Sequence, residues 1–315
     1  MSRPPKNNQP KRPPQRRRIE WAAGLLLGGV LVGWGALSLT QDHSGIGRAA
    51  LGHVEALVRL GPRPPGSEAH RKMQDYIRQQ LAAAGIAVEE DLFTADTPNG
   101  PVAMNNIVGR LAGRSQRIII LAAHYDTKLE ADFPFVGAND GGSGTGLLLA
   151  LAPLLAKHNA NHSVWLAFLD GEEALREWSA RDSLYGSRRF AARLRADGLV
   201  PQVGAFLLVD MIGDADLRIV RESNSTPWLK DLVWRVAQRL GHSRYFLSKQ
   251  MAIEDDHIPF LQAGVPAVNL IDFDYGPGNR YWHSREDTLD KVSPRSLQVV
   301  GDVLLEVIEE LDRQR

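Results

Sequence analysis

Phe168-Leu169-Asp170-Gly171-Glu172-Glu173 decides how the chain reads. Val164, Trp165, Leu166, Ala167 and Phe168 lead into it as an uninterrupted apolar run, the pattern of a strand buried on both faces. Asp170 and Gly171 break that strand. Two adjacent carboxylates then fall at its C-terminal end, the edge of an open α/β sheet where ligands bind. Neighbouring residues leaving a strand point in different directions. One carboxylate can therefore hold a metal while the other faces a substrate as a proton carrier. Taken alone, the pair also fits the exposed first turn of a helix, where acids suit the dipole. The rest of the chain argues against that simpler reading.

Outward from this strand, helices and strands alternate. Helices are predicted over residues 49–60, 67–84, 143–157, 183–196, 226–240 and 294–312, with a short one after Asp256. Strands are predicted over 86–93, 106–111, 117–123, 163–169, 204–209, 217–220 and 267–271. Gly61-Pro62-Arg63-Pro64-Pro65-Gly66 separates the first two helices, Ser67 caps the second and Gly85 stops it. This order implies an α/β fold: a mixed, mostly parallel central sheet with helices on both faces. No repeat and no second core is visible, so residues 48–315 read as one domain.

The N-terminal part is different. Residues 1–18 are rich in Pro, Arg, Lys, Asn and Gln, cannot build a core, and read as a disordered basic tail. Residues 21–39 carry no charge, a run long enough to cross a bilayer. Lys11, Arg12, Arg16, Arg17 and Arg18 precede it, so residues 19–40 read as a transmembrane signal anchor with its N-terminus in the cytoplasm. Residues 41–47 form a linker, and the following domain is placed outside the cytoplasm, periplasmic or lumenal. Cleavage near Ala36-Leu37-Ser38 would instead release it as a secreted protein.

The 315 residues carry 37 basic and 37 acidic side chains, a balance that gives no reason to expect a nucleic-acid partner. The chain has no cysteine, which excludes disulfides, thiolate metal sites and a cysteine nucleophile. A transition metal must therefore be held by His, Asp and Glu.

Such residues gather at predicted strand ends. His124-Tyr125-Asp126 follows one strand, and Asp140 sits in Gly137-Ala138-Asn139-Asp140-Gly141-Gly142-Ser143-Gly144 before a helix. Glu172 and Glu173 follow another strand, Asp210 ends Phe206-Leu207-Leu208-Val209, and His283 follows a loop after residues 268–271. Each alone could merely cap a helix. Together at one sheet edge they form a hard N/O ligand set suited to Zn²⁺. The glycine-rich run after Asp140 lacks the Gly-Lys-Ser/Thr ending and the dinucleotide spacing, so it is not a phosphate loop.

His124-Tyr125-Asp126, Asn139-Asp140-Gly141-Gly142-Ser143-Gly144, Gly171-Glu172-Glu173, Asp210-Met211-Ile212-Gly213 and Trp282-His283 resemble the zinc aminopeptidase superfamily over about residues 50–312. Two further stretches, Trp178-Ser179-Ala180-Arg181-Asp182-Ser183-Leu184-Tyr185-Gly186-Ser187-Arg188 and Asp255-Asp256-His257-Ile258-Pro259-Phe260-Leu261, resemble the glutaminyl-peptide cyclotransferases within it. A membrane anchor ahead of the domain is similar to the Golgi-type animal cyclases. The chain departs from them in lacking a cysteine pair and in the loop 272–281.

The resemblance implies a zinc-dependent catalytic domain over 48–315 that converts N-terminal glutamine of peptides or proteins to pyroglutamate with release of ammonia. It implies one zinc held by Asp140, Glu173 and His283, with Glu172 as proton shuttle. It places Asp210 and Asp255 as a hydrogen-bonded pair behind Glu172. Trp178 and Trp282 would wall the substrate pocket, and His124 would remain beside it as a vestigial second-metal ligand. A zinc aminopeptidase built on the same groups is the alternative: Glu172 would activate the hydrolytic water, and His124 with Asp210 would help to hold a second zinc. The ligand set alone fits both. The 178–188 and 255–257 stretches favour the cyclase.

Overall fold

The computed structural model of the protein describes residues 1–2 and 44–313. The expected tail beyond residue 2, the membrane-spanning segment 19–40 and residues 41–43 of the linker lie outside the described residues. Among the described residues no helix is long and apolar enough to cross a membrane.

A six-stranded mixed sheet forms the centre. Its strands are β1 (Ala87–Thr97), β2 (Gly100–Leu111), β3 (Ile118–His124), β4 (Ser163–Leu169), β5 (Val203–Asp210) and, from later in the chain, β8 (Ala267–Ile271), in the order β1-β2-β4-β3-β5-β8. β1 and β2 form an antiparallel hairpin, and β2 lies antiparallel to β4. β4, β3, β5 and β8 are mutually parallel. The C-terminal ends of these four strands therefore share one edge. A short second sheet pairs β6 (Ile219–Glu222) with β7 (Phe246–Met251).

The apolar strands are covered on both faces. Along β3, Ile119, Leu121 and Ala123 join one core cluster while Ile118, Ile120 and Ala122 join another, following the two-residue period of a strand. The first face is covered by α1 (Ile46–Val58), α2 (Glu68–Ala83), α3 (Gly142–Leu155), α5 (Pro227–Arg239) and α7 (Pro294–Arg313). The second is covered by α4 (Tyr185–Ala196) and α6 (Ile258–Gln262). This double cover explains why β3 to β5 read as continuous apolar runs rather than alternating ones.

Most expected elements fall where the sequence puts them. Ser67 caps α2 by accepting from the His70 N–H at 3.0 Å. Three differences stand out. α1 begins at Ile46, inside the expected linker, because Ile46 is already buried against α7 and α3. The expected strands 86–93 and 106–111 extend into one long hairpin, closed at Thr97–Gly100 by the Pro98-Asn99 turn. β7 was not expected; it is short, largely exposed, and pairs only with β6 among the described strands.

Candidate active site

The parallel strands deliver their final residues to one place. β3 ends at His124, β5 at Asp210, and β4 leads through Asp170 and Gly171 to Glu172 and Glu173. Gly171 has φ of 64°, and a Cβ there would sit 2.6 Å from Met104 Sδ, so the turn that aims the two glutamates needs glycine. No helix follows them. Both are buried, which overturns the exposed-first-turn reading.

Asp140, Glu173 and His283 each present one ligand atom, all within 4.8 Å of one another. His283 Nε2 lies 3.2 Å from Asp140 Oδ2 and 3.1 Å from Glu173 Oε1. Glu173 Oε2 is buried without a hydrogen-bond partner. Two carboxylates, one imidazole and an orphaned buried oxygen make a donor set that fits a divalent cation. His283 holds a left-handed backbone at φ of 47°, a strained conformation for a residue with a Cβ.

The ligand atoms of a second group, His124, Asp140 and Asp210, also lie within 4.8 Å of one another. His124 Nε2 is 3.2 Å from both Asp140 Oδ1 and Asp210 Oδ1. His124 was expected beside the substrate pocket. It lies next to that pocket, against the lining residues Asp140 and Asp210, but is itself buried behind the lining, because it is the last residue of the central strand and α3 starts directly over it. A Cβ on Gly141 would come within 3.1 Å of its ring.

The electrostatics follow from burial among acids. Burial pushes Glu172 well above the usual carboxylate range, and Glu173, Asp255 and Asp256 add to this. Glu173 is raised by burial and by Asp140. Burial alone would raise Asp140 too, but hydrogen bonds from His124 and His283 outweigh it and hold the carboxyl well below its ordinary value. Burial works against protonated His283, yet Glu173 and Asp140 raise it to about 10. Asp255 rises to about 7 through burial and the nearby charge of Asp210.

Asp210 and Asp255 both line the cavity, but each is hydrogen-bonded elsewhere. Asp210 Oδ1 faces His124 Nε2, while Asp255 accepts from the Asp256 N–H at 2.5 Å and from Asn269 Nδ2 at 2.6 Å. The expected pairing is thus electrostatic, with Asn269 as the partner that the sequence did not suggest.

Four buried carboxylates hold the loops of the site by accepting backbone N–H groups. Asp126 takes those of Glu172 and Glu173 at 3.1 and 3.2 Å. Asp287 takes those of Asn139 and Asp140 at 2.8 and 3.1 Å. Asp182 gathers Leu175, Arg176 and Glu177, each at 2.9 Å, and so shapes the loop bearing Trp178. Glu222 gathers the N–H groups of Asn224, Ser225 and Ile253 and lies 3.1 Å from His257 Nε2, tying β6 to the segment that bears Asp255. Asp126 and Asp182 fall inside the quoted motifs; for Asp287 and Glu222 the sequence offers no signal.

The resulting cavity measures about 280 Å³. Its polar lining is Asp140, Glu172, Glu173, Asp210, Asp255, His283 and Glu254. Its apolar walls are Met211, Met251, Ile253, Ile271 and Phe273, with Trp178 and Trp282 at the rim, 38% and 37% exposed. Trp282 stacks on the His283 ring at 4.1 Å between centroids. The volume suits one side chain and its backbone rather than a long peptide.

The sequence of residues 106–308 matches the model of peptidase family M28. The chain belongs to that family. Several of its relatives are named glutaminyl cyclases. It is 33% identical over 271 residues to the glutaminyl-peptide cyclotransferase-like protein of Bos taurus, covering 77% of this chain and 70% of that one. The solved glutaminyl cyclase of an Acidobacteriales bacterium superimposes with a TM-score of 0.81 at 45% identity, over 85% of this chain and 94% of the other. That of Porphyromonas gingivalis gives 0.78 at 28% identity, over 84% and 98%. The M28 match spans every strand-end residue described above; α1, α2, β1 and the start of β2 precede it.

Proposed function

We propose that the chain is a glutaminyl-peptide cyclotransferase, turning N-terminal glutamine of peptides or proteins into pyroglutamate and releasing ammonia. The observation that carries this reading is the juxtaposition of the Asp140–Glu173–His283 trio with the buried carboxyl of Glu172 in the lining of a small apolar-walled cavity. The named relatives are cyclases.

Asp140, Glu173 and His283 would hold one Zn²⁺. When bound, the ion supplies a Lewis acid for the γ-amide carbonyl of the substrate. The nucleophile and the electrophile belong to one molecule, so positioning provides much of the rate. Trp178, Trp282, Phe273 and Ile253 fold the glutamine side chain towards its own α-amine and exclude water. Glu172 takes the proton that the attacking amine loses and returns it to the leaving amide nitrogen. Its buried setting suits both halves of that exchange, because the protonated form is not penalised. Asp210 and Asp255 line the same cavity as buried carboxyls, the charge of Asp210 favours the protonated form of Asp255, and Asn269 fixes the orientation of Asp255.

A zinc aminopeptidase is the second reading, favoured by one observation: the His124–Asp140–Asp210 group is also spaced for a metal. It requires two zincs and release of a free amino acid. Metal counting on the purified chain, together with product analysis on a glutamine-initiated peptide, separates the two.

We further propose that residues 19–40 anchor the protein in a membrane, with tail 1–18 cytoplasmic and catalytic domain 48–315 on the other side. The uncharged run 21–39 behind five basic residues supports this. Carbonate-resistant membrane association of the full chain, with protease access to the catalytic domain only from the extracytoplasmic side, is the expected result. A domain accessible from the cytoplasmic side would contradict it.

A further inference from the structure

Among the described lining residues, Glu254 is the charged side chain that the reaction leaves unused. It is exposed at the mouth of the cavity, one residue before the buried Asp255. The Trp178 indole Nε1–H donates to Glu254 Oε2 at 3.2 Å. That bond fixes the carboxylate beside the exposed indole and leaves its other oxygen towards solvent. No lysine or arginine lines the cavity among the described residues. Lys128, the cation whose field reaches Glu173, is not part of the lining.

A substrate whose first side chain sits at the Asp140–Glu173–His283 trio must leave the cavity across its rim. Its second residue then passes Trp178 and Glu254. A carboxylate held by hydrogen bond at the edge of an exposed indole attracts a cationic side chain by its charge and repels an anionic one. We infer that Glu254, held by Trp178, selects glutaminyl peptides by the charge of their second residue, favouring lysine or arginine and disfavouring aspartate or glutamate. This assignment rests on the cyclase reading and adds a specificity-determining residue to it.

The full-length chain is assayed with Gln-Lys, Gln-Ala and Gln-Glu peptides blocked at the C-terminus. The wild-type ratio of kcat/KM for Gln-Lys over Gln-Glu is expected at about three- to tenfold, shrinking as salt rises because the rim is solvent-exposed. In Glu254→Gln the side-chain carbonyl still accepts from Trp178, but the charge is gone, and the ratio is expected to fall to about one. Because it is taken within one variant, general damage to the enzyme cancels. A wild-type ratio near one, or one that persists in Glu254→Gln, overturns the assignment while leaving the cyclase reading intact. Absence of cyclisation with all three peptides overturns that reading and this assignment with it.

Discussion

His283 Nε2 lies 3.1 Å from Glu173 Oε1, although 110 residues separate them in sequence. One residue comes from the turn after β4, the other from a strained turn beyond β8. Only the parallel order of β4, β3, β5 and β8 brings those two turns to the same edge. The contact leaves Glu173 Oε2 without a hydrogen-bond partner, a buried donor atom that the trio can offer to a metal ion.

The two adjacent glutamates should therefore fail in different ways. Glu173→Gln removes an anionic donor and should weaken zinc binding by more than about 100-fold, read by metal content after dialysis. Glu172→Gln should retain zinc and the fold while kcat drops by about 10²- to 10⁴-fold. Loss of zinc from the Glu172 variant would show that the two roles are exchanged.

Asp126 holds both glutamates by their backbone N–H groups, one per oxygen. Asp126→Asn keeps one acceptor and presents an amide N–H₂ to the other N–H. The unpaired buried donor should cost about 1–3 kcal/mol and lower Tm by about 2–10 °C. Since the turn that aims Glu172 is loosened, kcat should fall more than KM rises. An unchanged kcat would confine Asp126 to stability.

Much of this arrangement is legible in the sequence, and the reasons why parts are not are specific. Apolar β-branched runs and helix caps place β3, β4, β8 and α2 within a residue or two, because their partners are local or their burial is total. The strand-end residues His124, Asp140, Glu172, Glu173, Asp210 and His283 are readable because the α/β order forces their ends together. The β1–β2 hairpin carried an Asn99-Gly100 turn signal that shorter strand boundaries passed over. β7 has no such signal. Asp287 and Glu222 serve backbone N–H groups far away in sequence, and Asn269 serves Asp255 across a strand end, so no spacing announces them. His124 reaches the expected edge beside Asp140 and Asp210, but its burial behind the cavity lining is a matter of side-chain direction that strand order does not determine.

Glu222 makes the stability of the Asp255 segment pH-dependent. Burial would raise its carboxyl, but His257, the Asn224 N–H and Ser225 outweigh it and hold it down to about 2. A folded-state value below the unfolded one adds stability above the unfolded value, near 4.3, and loses it as pH falls towards about 2. Glu222→Gln should cost on the order of 2 kcal/mol at pH 7. The difference from wild type should shrink as pH falls from about 5 towards about 2. Chemical denaturation of both proteins across that range checks this; a difference that stays constant with pH would contradict it.

Trp282 lines the cavity rim, stacks on His283 and packs at 5.0 Å against Phe273. Trp282→Ala should raise KM by about 10-fold or more, the scale of about 1.4 kcal/mol or more from a lost aromatic wall. Its effect on kcat should be smaller. A pure loss of kcat at unchanged KM would instead make Trp282 a support for His283.

The central claim is the reaction itself, and mass analysis of a glutamine-initiated dipeptide after incubation with the full-length chain tests it most directly. The account predicts a product lighter by one ammonia with the peptide bond intact, abolished by a chelator and restored by one equivalent of zinc. Release of free glutamine, with two zincs bound, would contradict it and make the chain an aminopeptidase.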